Sequence, residues 1–276
     1  MNPYFYMLEK EWLEHKIVTR IPLVLLVCGV LLVLSILMNS TIQSNVTYEL
    51  TYNIDGHESG FELGKQLSGL AFAFTGLLSI LLTTLYFPKT LRKERQEGSV
   101  MFWRSMPVSD LTIHLVKLGF GLLVTPIICS MLVISADLVM WLINLVMSQN
   151  FPLFFTGESI LYVFTHWLEF IGRMWLVGMA LLPLAALALA ISQKVSSPLL
   201  VMIIGFYVIK LLSTNLLGVD FISDFLQAVT ALPFELMAGG NPFYAFANVG
   251  AVYLISYYLI GALSLVVSLR LSRSVD

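Results

Sequence analysis

The chain has 276 residues, of which 58% are hydrophobic and 12% are charged, and its formal net charge is −2. Ordinary soluble domains contain roughly 45–50% apolar residues, so this composition excludes a soluble globular protein and indicates a chain that crosses a membrane several times. Cys28 and Cys129 both fall in apolar segments, so we expect them to pack as small apolar side chains without a disulfide bond.

The N-terminal residues 1–20 have the pattern of a helix that lies along a membrane surface. Phe5, Leu8 and Trp12 share one side of a helix, and charged side chains such as Glu9 lie towards the other side. This segregation predicts an interfacial helix on the inner leaflet. The alternative is a plain cytoplasmic extension of the first membrane span.

Six apolar windows are long enough to cross a membrane. A helix needs ~20 mainly apolar residues to cross the ~30 Å hydrocarbon layer, and it satisfies its own backbone groups without water. The windows are approximately residues 17–38, 67–87, 115–147, 165–192, 198–217 and 248–269. They occupy most of the chain, so residues 1–276 are predicted to form a single all-α transmembrane domain.

Basic residues are distributed unevenly between the two sides of these windows. One side holds Lys10, Lys16, Arg20, Lys89, Arg92, Lys93, Arg95, Arg104, Lys117, Lys194, Arg270 and Arg273. The loops of the other side contain Lys65 together with several acidic residues. Because cytoplasmic loops are enriched in Lys and Arg, both termini are predicted to be cytoplasmic, in the inner membrane of a prokaryote.

Residues 218–247 form a predicted outer connection that is unusually apolar for a loop. Pro233, Gly239, Gly240 and Pro242 interrupt it. Irregular backbone at membrane depth must be buried in protein or hydrated, so we expect two short helices that dip into the outer leaflet in a re-entrant manner.

The predicted cytoplasmic loop, residues 88–114, contains the stretch "LRKERQEGSVMFWRSMPVSD" with seven charged residues. Gly98 is a natural end for a helix that continues from the second span, and Ser99 is a natural N-cap for a short new helix. Pro107 would end that helix, and Ser109 would cap the next one. The side chains expected on a docking surface are Ser99, Val100, Phe102, Trp103 and Met106. The alternative is an interfacial helix that anchors the loop among anionic headgroups.

Four ionisable residues lie inside the predicted spans, namely Asp137, Glu169, Arg173 and Lys210, all placed in the outer half of the bilayer. Glu169 and Arg173 are spaced as an i,i+4 pair. Charges at this depth are costly, so each is expected to face protein or water and to have a partner. They either line a translocation path or form a charge-balanced structural clamp.

The sequence contains no recognisable catalytic or nucleotide-binding motif. "GFELGKQ" at residues 60–66 has the wrong spacing for a phosphate loop, so the chain is not expected to bind ATP or to be an enzyme. The four histidines are far apart, and no metal site is predicted. Neither a Gly-x-Ser-x-Gly motif nor a Cys/His pair indicates an intramembrane hydrolase.

The stretch "ERQEGSVMFWRSMPVSDLTIHLVK", residues 94–117, resembles the cytoplasmic loop of ABC-2 type transporter permeases. The matching residues are Glu94, Arg95, Gly98, Pro107, Val108, Ser109 and Lys117. The sequence departs from that pattern at Gln96, where an acid is usual, at Ser99 in place of threonine and at Met106 in place of leucine. The opening "LEKEW", the six spans and the apolar last outer loop extend the resemblance over the whole chain.

The resemblance implies a transmembrane subunit of an ABC exporter with the ABC-2, type V exporter-like fold. Such a subunit would form a homodimer and bind two copies of a separate ATPase subunit, which would carry the ATP and Mg²⁺, through a coupling helix at residues 99–106. No cofactor in this chain and no nucleic-acid partner are expected, and the cargo would be amphipathic: a peptide, drug or lipid-like molecule. The alternatives are an ion-coupled secondary transporter and a non-transporting membrane scaffold or sensor.

Overall fold

The computed structural model describes residues 3–38, 59–96, 108–147, 160–195, 197–215, 218, 220–238 and 240–273. These residues are helical almost throughout, and no strand occurs among them. The prediction of an all-α chain is therefore confirmed for the part of the chain that the structure describes.

The described helices are, in chain order, α1 Pro3–Glu14, α2 Lys16–Met38, α3 Ser59–Gln96, α4 Asp110–Gly119, α5 Thr125–Met147, α6 Ile160–Ser192, α7 Pro198–Asn215, α8 Asp220–Met237, α9 Pro242–Val249 and α10 Ala251–Arg273. A π-helical turn over Phe120–Val124 joins α4 to α5.

Five helical stretches are long and apolar enough to cross a membrane. They are Leu67–Glu94, Asp110–Leu142, Ile160–Ser192, Pro198–Asn215 and Ala251–Ser272. A sixth is counted if Tyr4–Glu14 and Lys16–Leu32, on either side of a break, are taken as one span. The described helices therefore confirm a multi-pass membrane protein with five or six spans, where the sequence predicts six.

The predicted interfacial segment, residues 1–20, is divided at His15 into α1 and the start of α2. In α1, Phe5 and Trp12 are 69% and 46% exposed, whereas Met7 and Glu11 are buried. The aromatic side of α1 is therefore its exposed side, and a carboxylate lies on the side that packs against protein.

Contacts along the chain form two compact units. The first comprises Met1–Lys16, Ser79–Pro126 and Arg173–Asp276, and the second comprises Ile17–Leu78 and Ile127–Gly172. Within the first unit, α8 packs against α7, α9 and α10, and α4 packs against α1 and α10.

Pro183 shapes the contact between α6 and α10 in the first unit. Proline has no N–H, so it leaves the carbonyl four residues earlier, that of Met179, without its usual helical donor. The Tyr258 hydroxyl donates to this carbonyl at 3.1 Å, and the neighbouring Tyr257 donates to Ala180 at 2.7 Å. Two tyrosines of α10 thus satisfy backbone oxygens around the proline of α6.

The segment predicted as an outer connection contains α8 and α9. Pro233 lies inside α8 and does not interrupt it, in contrast to the sequence interpretation. The break comes later, where Gly240 has a φ of 76° and the Asn241 side chain accepts a hydrogen bond from the Phe243 N–H at 3.0 Å. Pro242 follows as the first residue of α9, a position where its missing N–H costs nothing.

Candidate functional site

A cluster of buried charges in the first unit surrounds Lys117 of α4. The Lys117 Nζ donates to Glu11 Oε1 at 2.6 Å and to Glu94 Oε1 at 3.0 Å. Lys117 is 1% exposed, Glu11 3% and Glu94 6%. An ion removed from water to this degree costs several kcal/mol unless close partners compensate it, and two carboxylates bonded to one ammonium provide that compensation.

Lys10 and Tyr86 complete the inner part of this cluster, which we call the Lys117 cluster and define as Lys10, Glu11, Tyr86, Glu94 and Lys117. The Lys10 Nζ donates to Glu94 Oε1 at 2.7 Å, and the Tyr86 hydroxyl donates to Glu11 Oε2 at 2.6 Å. The two lysines balance the two glutamates, so the cluster is neutral as a whole and each carboxylate has two donors.

Three helices bring these residues together, one residue or pair from each. Glu94 lies near the end of α3, and Lys117 lies in α4, so the ion pair joins the two helices that flank the predicted coupling loop. Glu11 comes from α1, which packs against α4. Ser109 begins α4 as its N-cap, with its hydroxyl accepting from the Thr112 N–H at 3.2 Å, as the sequence predicts.

His15 lies beside this cluster in the break between α1 and α2. Its Nε2 is buried and 3.4 Å from Glu11 Oε2, without the geometry of a hydrogen bond. Burial lowers the pKa of His15 to about 4, and the nearby charge of Lys117 acts in the same direction, while Glu11 opposes it. His15 is therefore neutral at pH 7.

A second polar contact in the same unit ties α4 to α10 and to the end of α6. The Nδ1 of His114 bonds the Asp110 carbonyl at 2.8 Å, and its Nε2 lies 2.9 Å from the Ser268 hydroxyl. Gln193 donates to the Ser268 carbonyl and hydroxyl at 2.8 and 2.6 Å. Helix α4 is thus held to α10 through His114, and to α1 and α3 through Lys117.

The second unit contains its own polar cluster, around Asp137 of α5. Asp137 is 4% exposed, and it accepts from the Ser68 hydroxyl at 2.6 Å and from His166 Nδ1 at 2.7 Å. Tyr162 stacks on the His166 ring with a centroid distance of 5.3 Å, and Phe72 contacts the ring at 5.0 Å. Asp137, the first of the predicted intramembrane charges, therefore has an ionisable partner that the sequence interpretation did not name.

The Ser68, His166 and Asp137 side chains do not form a catalytic triad. In a triad the histidine uses one nitrogen for the serine and the other for the carboxylate. Here the Ser68 oxygen and the Asp137 carboxylate both lie near the same nitrogen, Nδ1, at 3.3 and 2.7 Å. This geometry does not activate the serine as a nucleophile.

The remaining predicted intramembrane charges are Glu169, Arg173 and Lys210. Arg173 of α6 donates to the carbonyl oxygens of Leu236 and Gly240, at 3.3 and 2.9 Å, at the C-terminal end of α8. Glu169 is exposed, and Lys210 of α7 is half-buried. Arg173 therefore stabilises the end of a helix, where a positive charge is favoured by the helix dipole.

The whole of the predicted docking surface, together with two residues of the predicted loop motif, lies outside the described residues. This holds for Gly98, Ser99, Val100, Phe102, Trp103, Met106 and Pro107. Arg95 lies in the last turn of α3. Of the predicted loop motif, the structure thus places Glu94 and Arg95 before that segment and Ser109 after it.

Sequence reasoning missed Glu11, Tyr86, His15 and His166 as members of polar clusters. One signal for Glu11 was available, since it follows the buried Met7 by four residues and so shares its side of α1. Glu11 is 106 positions from Lys117 in the chain, and His166 is 29 positions from Asp137. No local pattern reports a pairing over such distances.

Within the described parts of the chain, no group of three or more His, Cys, Asp or Glu side chains could hold a metal ion. Comparison of the chain with protein-family models, curated proteins and solved structures finds no match.

Proposed function

We propose that the chain is the transmembrane permease subunit of an ATP-driven exporter of the ABC-2 type, in the cytoplasmic membrane of a prokaryote. The observation that supports this proposal best is the buried ion pair between Glu94, near the end of α3, and Lys117 of α4, which joins the two helices on either side of residues 97–107. Two helices joined in this way can transmit a push on the loop between them, because they cannot separate without leaving a buried charge uncompensated.

In this proposal a separate ATPase subunit binds the cytoplasmic loop through residues 99–106. Two ATPase copies would serve a homodimer of the chain, and ATP and Mg²⁺ would be bound by the ATPase alone. Closure of the ATPases would press on the loop, and the Lys117 cluster would pass this movement to α1, α3 and α4 together. The cargo is an amphipathic peptide, drug or lipid-like molecule that leaves the cytoplasm.

The experiment is purification of the tagged full chain from its source membranes, followed by assay of ATP hydrolysis. We expect an ATPase subunit with a phosphate-loop motif to co-purify. Trp103→Ala or Met106→Glu should weaken this association, since an aromatic anchor buried at an interface commonly contributes ~2 kcal/mol or more. Trp12→Ala is the matched control, because Trp12 is exposed on α1. Wild-type recovery of the ATPase with Trp103→Ala would contradict the proposal.

A second candidate function is an ion-coupled secondary transporter, and the pair formed by Asp137 and His166 supports it. A buried carboxylate bonded to an imidazole inside a membrane span can exchange a proton, and such residues often mark proton pathways. Flux of cargo in proteoliposomes that follows a pH gradient without ATP, and that is lost in His166→Gln, would favour this candidate over the exporter.

A further inference from the structure

An apolar groove runs between α3, α6 and α7 in the first unit. Its volume is about 250 Å³, and its walls are almost entirely hydrocarbon. The lining side chains include Phe87 and Pro88 of α3, Ala188 of α6, and Leu199 and Ile203 of α7. A groove of this volume is too small for an α-helix, whose diameter with side chains is about 10–12 Å, but it can hold part of an extended hydrocarbon chain.

A second cavity of about 480 Å³ with a different character adjoins this groove. Pro88 and Leu199 line both cavities, so the two lie side by side. The second is lined by Lys89, Arg92 and Lys93, and no acidic residue is among its described lining residues. It is therefore positively charged directly beside an apolar slot.

The three basic residues are placed by the helix period. Residues at i, i+3 and i+4 lie on one face of a helix, so Lys89, Arg92 and Lys93 point to the same side of α3. The Arg92 Nη1 donates to the Val195 carbonyl at 2.9 Å, and the Lys93 Nζ donates to the Glu14 carbonyl at 3.3 Å, and these bonds fix both side chains. Lys89 is exposed at the mouth of the cavity.

We propose that this composite cavity is a binding site for one anionic membrane phospholipid, such as phosphatidylglycerol. The phosphate lies against Lys89, Arg92 and Lys93, and one acyl chain lies in the groove. The charge and the shape of the cavity favour this occupant. The basic end attracts an anionic headgroup, and the apolar groove has room for a single acyl chain. The basic end belongs to the side that the distribution of Lys and Arg predicts to be cytoplasmic, where anionic headgroups attract such clusters.

The test is native mass spectrometry of the detergent-purified full chain, titrated with dioleoyl phosphatidylglycerol and with dioleoyl phosphatidylcholine. We expect one phosphatidylglycerol per chain to be retained in preference to phosphatidylcholine. Lys89→Gln should weaken its binding about fivefold, the contribution of one basic side chain near an anionic lipid headgroup. Lys194→Gln is the matched control, because Lys194 is exposed and does not line the cavity.

The acyl-chain part of the site has its own matched pair in α7. Ile203 and Ile204 are 49% and 53% exposed, but only Ile203 lines the groove. Ile203→Trp should abolish retention of phosphatidylglycerol, and Ile204→Trp should leave it unchanged, because only the first indole fills the slot.

Three results would overturn the proposal. Equal retention of the two lipids would show ordinary contact with surrounding lipid. An equal loss in Lys89→Gln and Lys194→Gln would show a diffuse effect of charge. Displacement by glycerol phosphate at the concentration of the lipid itself would show a site for a soluble anion. None of these measurements involves an ATPase, so their failure is separate from failure of the proposed transport function.

Discussion

Lys117 is the residue on which the first polar cluster depends. It would not remain charged at 1% exposure without Glu11 and Glu94 at hydrogen-bonding distance. Each carboxylate also has a second donor, from Tyr86 or from Lys10. Since every member is paired, removal of one member leaves a charge uncompensated, and the cost falls on the whole cluster.

Glu11→Gln is expected to lower the thermal unfolding temperature in detergent substantially, because breaking a buried ion pair costs ~3–5 kcal/mol. Glu9→Gln is the matched control, since Glu9 is exposed two residues earlier in the same helix. The double change Glu11→Gln with Lys117→Met should recover part of the loss. Equal unfolding temperatures for Glu11→Gln and Glu9→Gln would show that the pair contributes nothing to stability.

His15 gives the protein a defined response to acid. Its pKa is about 4 in the folded chain and ~6.5 when unfolded, so between these values the unfolded chain binds more protons. The free energy of unfolding therefore falls as the pH decreases through this window, by about 2 kcal/mol at pH 5. In His15→Gln the drop in unfolding temperature from pH 7 to pH 5 should be smaller. The same drop in the variant and in the wild type would exclude His15 as its source.

At the scale of helices, close packing of α6 and α10 depends on the absence of a side chain at position 261. A Cβ added at Gly261 would lie 2.7 Å from the Pro183 Cα, closer than real Cβ atoms essentially ever come to another heavy atom. Because the Pro183 Cα belongs to the backbone, a change of side-chain rotamer cannot remove the clash. The same packing positions the tyrosines of α10 near the carbonyls around Pro183.

Gly261→Ala is therefore expected to destabilise the chain by ~1–3 kcal/mol, the usual cost of overpacking. Gly205→Ala is the matched control, because its added Cβ meets nothing within 4 Å, and a helical alanine there is expected to be neutral or stabilising. Thermal unfolding of both variants in detergent measures the difference. A Gly261→Ala variant as stable as Gly205→Ala would mean that the two helices can separate without cost.

Arg173 donates hydrogen bonds at the C-terminal end of α8. This contact can distinguish the two alternatives for the intramembrane charges, a lining of a translocation path and a structural clamp. Arg173→Gln should speed amide hydrogen exchange in residues 236–241, because the Leu236 and Gly240 carbonyls lose their donor. Arg173→Lys should restore part of the protection through a single hydrogen bond. Unchanged exchange together with loss of export in Arg173→Gln would favour a path-lining role for Arg173 over a structural one.

At the scale of the whole molecule, the distribution of Lys and Arg predicts the orientation of the chain. In a variant with Cys28 and Cys129 replaced, a cysteine at Ser59 or at Gly157 should react from outside with an impermeant thiol reagent in intact cells. A cysteine at Ser105 should react only after the membrane is opened. Labelling of Ser105→Cys in intact cells would reverse the orientation and remove the loop from the reach of a cytoplasmic ATPase.

The sequence by itself determined those features that are sums over neighbouring residues. Apolar windows of about twenty residues identify the membrane-spanning helices, because each apolar residue contributes separately to the free energy of burial in the hydrocarbon layer. Ser109 was recognisable as an N-cap because a cap bonds to an N–H a few residues further along the chain. The resemblance of the stretch from Glu94 to Lys117 to a transporter loop also rests on residues that are close in the chain, and it stays a prediction.

The tertiary structure alone decided which charges meet. Lys117 appeared in the sequence as one of many flanking basic residues, and Glu11 as part of an amphipathic helix, yet packing of α1 against α4 buries them together. Asp137 likewise appeared without a partner until the fold placed His166 beside it. Such pairs depend on the relative position and rotation of separate helices, to which residues along the entire chain contribute, so no local pattern of charge or apolarity specifies them.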